Sequence, residues 1–374
     1  MTRARQHGVT LVELLVSITI GLFIIGAVLY VYLGSRGAYR TSKSTSRTQE
    51  AGRFGLDAIL HDVRQAGYIG CGSRISLSSR VVGSTAPIQI SQIASPPLGS
   101  DLTAPLNFTD SSMAVVGYST TDYIVGTGTT TWPLATTLTP KWLAGDVLVI
   151  RTATASPVQM AQNPNAANPS IYLENNCAGV TTGDYLMVSS CSAATVLRVA
   201  NAPPASCPAG AGGVQIDHGS PGNITSGSSQ TVASAFPVQN LPTVVPFDEV
   251  MYYIGQVNGR PWPALYRYSM KAGASEEVID HVENMSVYYG IPDTSVTPAT
   301  VKYLGADSVT LAGAWSTVIN IRVQLLTSGD ELNAVQAPQK INFGAPAAAE
   351  VLTMPDTRYR QLFTATASLR DRLQ

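Results

Sequence analysis

The sequence predicts an α+β protein in which one long N-terminal helix, able to span a membrane, packs against a large β-sheet-rich head. Three observations predict it. Val9 to Leu33 is an apolar run that follows a short basic leader. A helical pattern continues without proline to about Ala66. Beyond Gly67 the chain breaks into short β-branched and aromatic runs separated by Gly, Pro, Asn and Asp.

The leader, Met1 to Gly8, carries Arg3, Arg5 and His7 and no acid, and Leu11 to Leu33 holds a single charge, Glu13. At about 1.5 Å per residue this run crosses a hydrocarbon core of about 30 Å as a helix. A secretory signal peptide also starts basic and turns apolar, but its apolar core is about 7 to 15 residues and ends at small residues. Here Leu29-Tyr30-Val31-Tyr32-Leu33 stays bulky to the end. A plain anchor leaves Glu13 without a purpose. A carboxylate within an apolar helix costs on the order of a few kcal/mol, so Glu13 needs a partner.

Gly8-Val9-Thr10-Leu11-Val12-Glu13 resembles the type IV prepilin processing site. The resemblance implies that a prepilin peptidase cuts between Gly8 and Val9 on the cytoplasmic side and that Val9 becomes the N-methylated terminus. It also implies that Glu13 pairs with the terminal amine of a neighbouring subunit, which relieves the burial of both charges. The first mature residue of that family is usually Phe and here is Val. Past the apolar run come Arg36, Arg40, Lys43, Arg47 and Arg53 with only Glu50 against them, a bias that taken alone favours the opposite orientation. The expected orientation follows the processing site. The basic stretch is read as a solvated helix face, and contact with acidic surfaces of neighbouring heads is its sharper reading.

From Ser35 to Ala66, Leu56, Ile59, Leu60 and Val63 fall on one helix face and are expected to pack under the head. Gly34, Gly37, Gly52 and Gly55 each weaken the helix by up to about 1 kcal/mol relative to Ala and are read as points where it can bend. Gly67 is the stop signal. The segment Glu50 to Cys71, EAGRFGLDAILHDVRQAGYIGC, is similar to the PilW family of minor pilins. Further blocks carry the same resemblance in order: Gly145 to Arg151, Gly183 to Val199, Val282 to Gly290, Val318 to Leu326, and Phe363 to Arg372.

That resemblance implies a pilin-like fold and a structural, non-enzymatic role: initiating type IV pilus assembly or forming part of the tip complex, in support of motility or adhesion. The implied partners are the prepilin peptidase, other minor pilins and the major pilin, a large tip adhesin, and the inner-membrane assembly platform. The subunit would sit in the inner membrane with its head in the periplasm, then in the pilus at the cell surface. The implied divisions are a cleaved leader at 1–8, a membrane and pilus-core helix at 9–33, its continuation at 34–67, and a head at 68–374 with a loop-rich insertion at about 201–246. A minor pseudopilin of a type II secretion system and an adhesin-like binding head on a pilin stem are the alternatives.

Read without the family, the head still has strand signals at Asp146 to Arg151, Asp184 to Ser189, Thr195 to Val199, Val250 to Gly255, Leu265 to Met270, Met285 to Tyr289, Ile319 to Leu326 and Leu362 to Leu369. The Pro- and Ser-rich stretches Ser84 to Pro105 and Asn201 to Pro246 read as surface loops or partly ordered insertions; a boundary in the second would split the head into two lobes, and a single sheet interrupted by a long insertion explains the pattern equally well. The cysteines Cys71, Cys177, Cys191 and Cys207 allow three pairings of two disulfides. Cys177 with Cys191 is the expected pair, because Gly183 to Ser189 can turn back as a hairpin arm between them; Cys71 is left to Cys207. Such a loop closure stabilises by about 3 kcal/mol. Zinc is the alternative, but neither C-x-x-C nor H-x-x-x-H occurs.

No P-loop, G-x-S-x-G, H-E-x-x-H or D-x-D-x-D-G pattern occurs in the 374 residues, so no catalytic residue, metal site or cofactor is expected. Charged residues make up only 13% and the net charge is −1, or −3 once a leader with Arg3 and Arg5 is lost. This is no nucleic-acid footprint.

Overall fold

A computed structural model of the chain describes residues 10–67, 90–92, 114–119, 138–153, 156–163, 170–189, 194–205, 207, 213–218, 241–293, 295–298, 300–343 and 350–369. Helix α1 spans Leu11–Gln65, 55 residues and about 80 Å at the α-helical rise. Its N-terminal half has no buried residue before Ser44 and presents Leu, Ile, Val and Phe on every side. An all-round apolar surface needs lipid or other helices as its solvent. The C-terminal half buries Ser44, Thr48, Ala51, Gly52, Gly55, Leu56, Ile59, Leu60 and Val63, a stripe at three- and four-residue spacing that contains all four residues expected from the sequence. The helix stops at the Ala66 cap, and Gly67 follows at φ 74° with its N–H donating to the Arg151 carbonyl.

The head is built from seventeen described strands. In chain order they are β1 (Ile90–Gln92), β2 (Val115–Tyr118), β3 (Trp142–Ala153), β4 (Val158–Gln159), β5 (Ser170–Leu173), β6 (Tyr185–Ser189), β7 (Ala194–Arg198), β8 (Val214–Asp217), β9 (Thr243–Gly255), β10 (Ala264–Ser269), β11 (Ala274–Asp280), β12 (Val282–Asp293), β13 (Thr300–Leu304), β14 (Asn320–Ser328), β15 (Lys340–Phe343), β16 (Glu350–Thr353) and β17 (Arg360–Ser368). A short helix α2 (Ala306–Leu311) lies between β13 and β14. All eight strand signals fall on observed strands. Nine strands form one sheet, with path β1-β7-β6-β9-β10-β11 and with β3 and β4 also paired to β9 and β2 to β3. The second sheet is β13-β12-β14-β17, antiparallel throughout.

Helix α1 lies on β14 and β17 and also touches β3 and β11, so the main core forms between the stem and both sheets. Leu56, Ile59, Leu60 and Val63 meet Leu148, Ile150, Tyr252, Leu265, Ile321 and Leu325 there. A second core gathers Met160, Ile171, Leu173, Leu186, Val188, Leu197, Ile216 and Val244. The thirteen-residue strand β9 runs through both: Val244 lies in the second core, and Val250, Tyr252 and Ile254 lie in the first. One continuous strand therefore joins the two lobes that a boundary at Asn201 to Pro246 would have separated.

Three expectations are corrected. Part of the stretch read as loop is strand, since Val214–Asp217 pairs with β5 and Thr243 opens β9. Within Ser84 to Pro105, Ile90–Gln92 pairs in parallel with β7, and the rest of that stretch lies outside the described residues.

The disulfide is the third correction. Cys177 joins Cys207, with Cα atoms 4.7 Å apart, not Cys191. In the β6–β7 hairpin Ser189 faces Ala194 and Tyr185 faces Arg198, and Cys177 precedes the end at Tyr185 and Arg198, the open end. The chain leaving β7 departs from that open end. The buried Asn176 side chain ties the two segments together, donating to the carbonyls of Val180 (3.0 Å) and Pro204 (3.1 Å) and accepting from the Val180 N–H. The expected partner of Cys207, Cys71, lies like Cys191 outside the described residues.

Candidate assembly site

The chemistry of this chain is concentrated at two places on α1: its first turn and the seam with the head. At the first turn Thr10 is the N-cap, in extended conformation, and the Glu13 N–H donates to its Oγ1 at 3.3 Å. Thr10-x-x-Glu13 is the spacing of a capping box, which occupies N–H groups that the first turn leaves unpaired. A carboxylate at this position also faces the positive end of the helix dipole. The cap is legible in the sequence as the T-x-x-E spacing of Thr10 and Glu13, which overlaps the processing-type motif. Glu13 is exposed amid Leu11, Val12, Leu14 and Leu15, and among the described residues no cation pairs with it. Gly8 and Val9 lie outside the described residues.

At the seam, two glycines admit the head. A Cβ on Gly52 would overlap Cγ, Cδ2 and Cε2 of the Phe363 ring, and one on Gly55 would lie 2.9 Å from Leu325 Cδ1. These glycines are close-approach seats for β17 and β14, a role that replaces the bend points read from the sequence.

Around the seam runs a set of polar ties. Arg40 pairs with Glu331 at 3.7 Å, and Arg47 pairs with Asp280 at 3.0 Å and Asp330 at 3.9 Å. All five basic residues beyond the membrane run are exposed, and two of them are also paired with acids of the chain's own head. His281, buried with φ 64°, places Nδ1 3.0 Å from Asp280 Oδ1 and Nε2 against Asp330 Oδ1. Trp262 stacks on its ring at 4.8 Å, and the Arg358 guanidinium lies 4.5 Å over Trp262. Burial acts to raise the Asp280 pKa, but His281 and Arg47 outweigh it and hold the carboxyl below its ordinary value.

Near the far end of the stem, Asp62 accepts from Arg267 Nε and from the Tyr252 hydroxyl, each at 2.8 Å. Burial and the Asp62 charge both push the Tyr252 phenol far up, so it remains a donor. Thr327 Oγ1 donates to the Thr48 carbonyl at 3.3 Å. Exposed ion pairs are worth about 0–1 kcal/mol each. The outer ties fix the register of stem against head, and the apolar seam supplies most of the hold.

The head holds two buried ionic sites away from the stem. Arg151 and Glu249 pair at 3.0 Å between β3 and β9, and burial pushes the Glu249 carboxyl upward. Arg360 binds both carboxylate oxygens of Glu283 and also Asp356. Neither has a reacting arrangement, and among the described residues no cluster of His, Cys, Asp and Glu could hold a metal ion. The site as a whole is suited to non-covalent assembly: an apolar rod with one acid near its tip, fixed rigidly to a folded head.

Two known families match this chain. A prokaryotic N-terminal methylation motif matches residues 3–29, and type IV pilus-assembly protein W, PilW, matches residues 251–371, from the second half of β9 through β17. No curated protein and no solved structure matches it. The first match covers Gly8, Val9 and Glu13. The second covers the blocks at Val282 to Gly290 and Val318 to Leu326 and nearly all of Phe363 to Arg372. The blocks at Glu50 to Cys71, Gly145 to Arg151 and Gly183 to Val199 lie outside both. Together the two matches mark a type IV pilus-related pilin with a PilW-type segment in its head.

Proposed function

We propose that this pilin is a minor subunit of a type IV pilus that initiates assembly or takes a place in the tip complex. In this reading the peptidase cuts between Gly8 and Val9, Val9 is methylated, and the subunit waits in the inner membrane with its head in the periplasm. It then passes into the fibre with other minor pilins and the major pilin. The observation that carries the reading is the division of α1. No residue of the helix before Ser44 is buried, and from Ser44 to Val63 one face of it is seated in the head. Such a rod enters a helical bundle whole and brings its head to a fixed position on the outside. Within the bundle Glu13 meets the terminal amine of a neighbour, and each charge relieves the burial of the other.

The test is a count of surface pili by electron microscopy in a strain lacking the protein, with secreted hydrolase activity assayed in the same cultures. Few pili with normal secretion is the expected result. Normal pili with failed secretion would transfer the protein to a type II secretion system as a pseudopilin. Glu13→Gln should be trimmed normally yet enter fibres poorly, and undiminished incorporation would refute the pairing role.

A further inference from the structure

The place where the stem leaves the head holds groups that the assembly contacts above do not use. After β14 the chain turns along α1: Gly329 sits against Ser44, Asp330 reaches Arg47, Glu331 reaches Arg40, and the Ala334 carbonyl accepts from Thr41 Oγ1 at 3.5 Å. The tip of this loop therefore meets the helix at Arg40 and Thr41, the stem residues nearest the apolar run that touch the head. Leu332 at the tip is 53% exposed, and Tyr39, at the same height on the stem, is 70% exposed.

The apolar run ends at Leu33, seven residues before Arg40 and so about 10 Å away along the helix axis. A bilayer of about 40–45 Å with a core of about 30 Å has headgroup layers of roughly 5–8 Å on each side. A stem that spans the membrane through Leu33 thus holds the Leu332 loop at the outer face of the headgroup layer.

Charge agrees with height. Between Glu13 and Glu50 the helix carries Arg36, Arg40, Lys43 and Arg47 and no acid. Arg40 and Arg47 are neutralised by the head, whereas Arg36 and Lys43 are exposed and, among the described residues, have no ion-pair partner. Arg36 lies one turn below Arg40, directly beneath the loop.

We propose that in the membrane-held subunit this collar is a docking surface for the phospholipid headgroup layer. Tyr39 and Leu332 rest against the outer part of the headgroup layer, where an amphipathic ring is favoured. Arg36, three residues past Leu33, binds the phosphates of anionic lipids, and Lys43, farther out, adds to the attraction. The contact fixes the height and tilt of the head before the subunit is drawn out, and it is surrendered when the stem leaves the bilayer. This rests on the reading of the chain as a membrane-held pilin.

The experiment uses the full chain in phosphatidylcholine vesicles, with and without phosphatidylglycerol, carrying a dansylalanine in place of Leu332. Nitroxide lipids labelled near the headgroup should quench this probe, about twofold more when anionic lipid is present. Arg36→Gln with Lys43→Gln should remove that increment. A second probe in place of Leu29 reports on the span itself. Quenching at position 29 with none at 332 overturns the docking surface and leaves the membrane-held pilin standing, and no quenching at either position overturns the reading beneath it. Protection at 332 that appears only at high protein-to-lipid ratio would identify a second copy as the occupant and overturn the proposal.

Discussion

Substituting Gly52 by Ala sets two effects of opposite sign against each other. In an exposed helix the change favours the helix by about 1 kcal/mol. Here the added Cβ falls within the Phe363 ring, overlapping three of its atoms. Either the ring leaves its rotamer or β17 moves away from the stem, and overpacking of this kind costs about 1–3 kcal/mol. The difference is a net loss of up to about 2 kcal/mol, and at about 2–4 °C per kcal/mol for a domain of this size the melting temperature should fall by several degrees.

With Phe363→Ala in the background the obstruction is gone, and Gly52→Ala should stabilise by up to about 1 kcal/mol. The sign of one substitution thus inverts with the state of its neighbour, and the coupling, about 1–3 kcal/mol, isolates the contact. Thermal unfolding of the full chain in detergent, followed by near-ultraviolet circular dichroism, measures all four corners of the cycle. An equal shift from Gly52→Ala with and without the Phe363 ring would refute the idea that the glycine exists to seat it.

Three further outcomes follow from the head. Peptide mapping under non-reducing conditions should recover Cys177 linked to Cys207, and Cys177→Ser with Cys207→Ser should lower stability by about 3–4 kcal/mol for a separation of 30 residues. Glu249→Leu leaves Arg151 charged in the core and should cost about 3–5 kcal/mol in denaturant unfolding; a loss below 1 kcal/mol would argue that the pair is not buried as described.

Asp280 and Asp356 both have folded pKa values below the ordinary carboxylate value of about 3.9, Asp280 through His281 and Arg47 against burial and Asp356 chiefly through Arg360. Their contribution is therefore complete above that value and is lost as pH falls through the folded pKa values. Arg47→Gln should move the Asp280 share of this acid loss to higher pH, and an unchanged acid-unfolding curve would contradict the tie between stem and head.

Much of the architecture was legible because it is local. The apolar run, the stripe Leu56-Ile59-Leu60-Val63 and the Gly67 stop each declare themselves within a few residues, and all three are found in the structure. The buried strands β3, β9, β12 and β14 are rich in β-branched and aromatic residues and were read at the right places. Strand β11, Ala274–Asp280, was not: it lies at a sheet edge, carries Glu276 and Glu277, and owes its conformation to pairing with β10 rather than to composition. Strands β5 and β8 are four residues each and are held by pairing with one another and with neighbouring segments at Met160 and Ala200.

The sequence by itself determined that this chain has a membrane-length apolar rod with one acid, a processing-type motif before it, and a β-rich head behind it, since each of these is written in composition and short-range spacing. Only the tertiary structure decided that Arg40 and Arg47 are held by Glu331, Asp280 and Asp330, that Gly52 and Gly55 are seats for β17 and β14, and that Cys177 meets Cys207. The stem contacts join residues more than two hundred positions apart. The disulfide, closer in sequence, depends on the segment after β7 returning beside the one before β6. No local propensity specifies such pairings; they are selected when the sheets pack and the core closes around the stem.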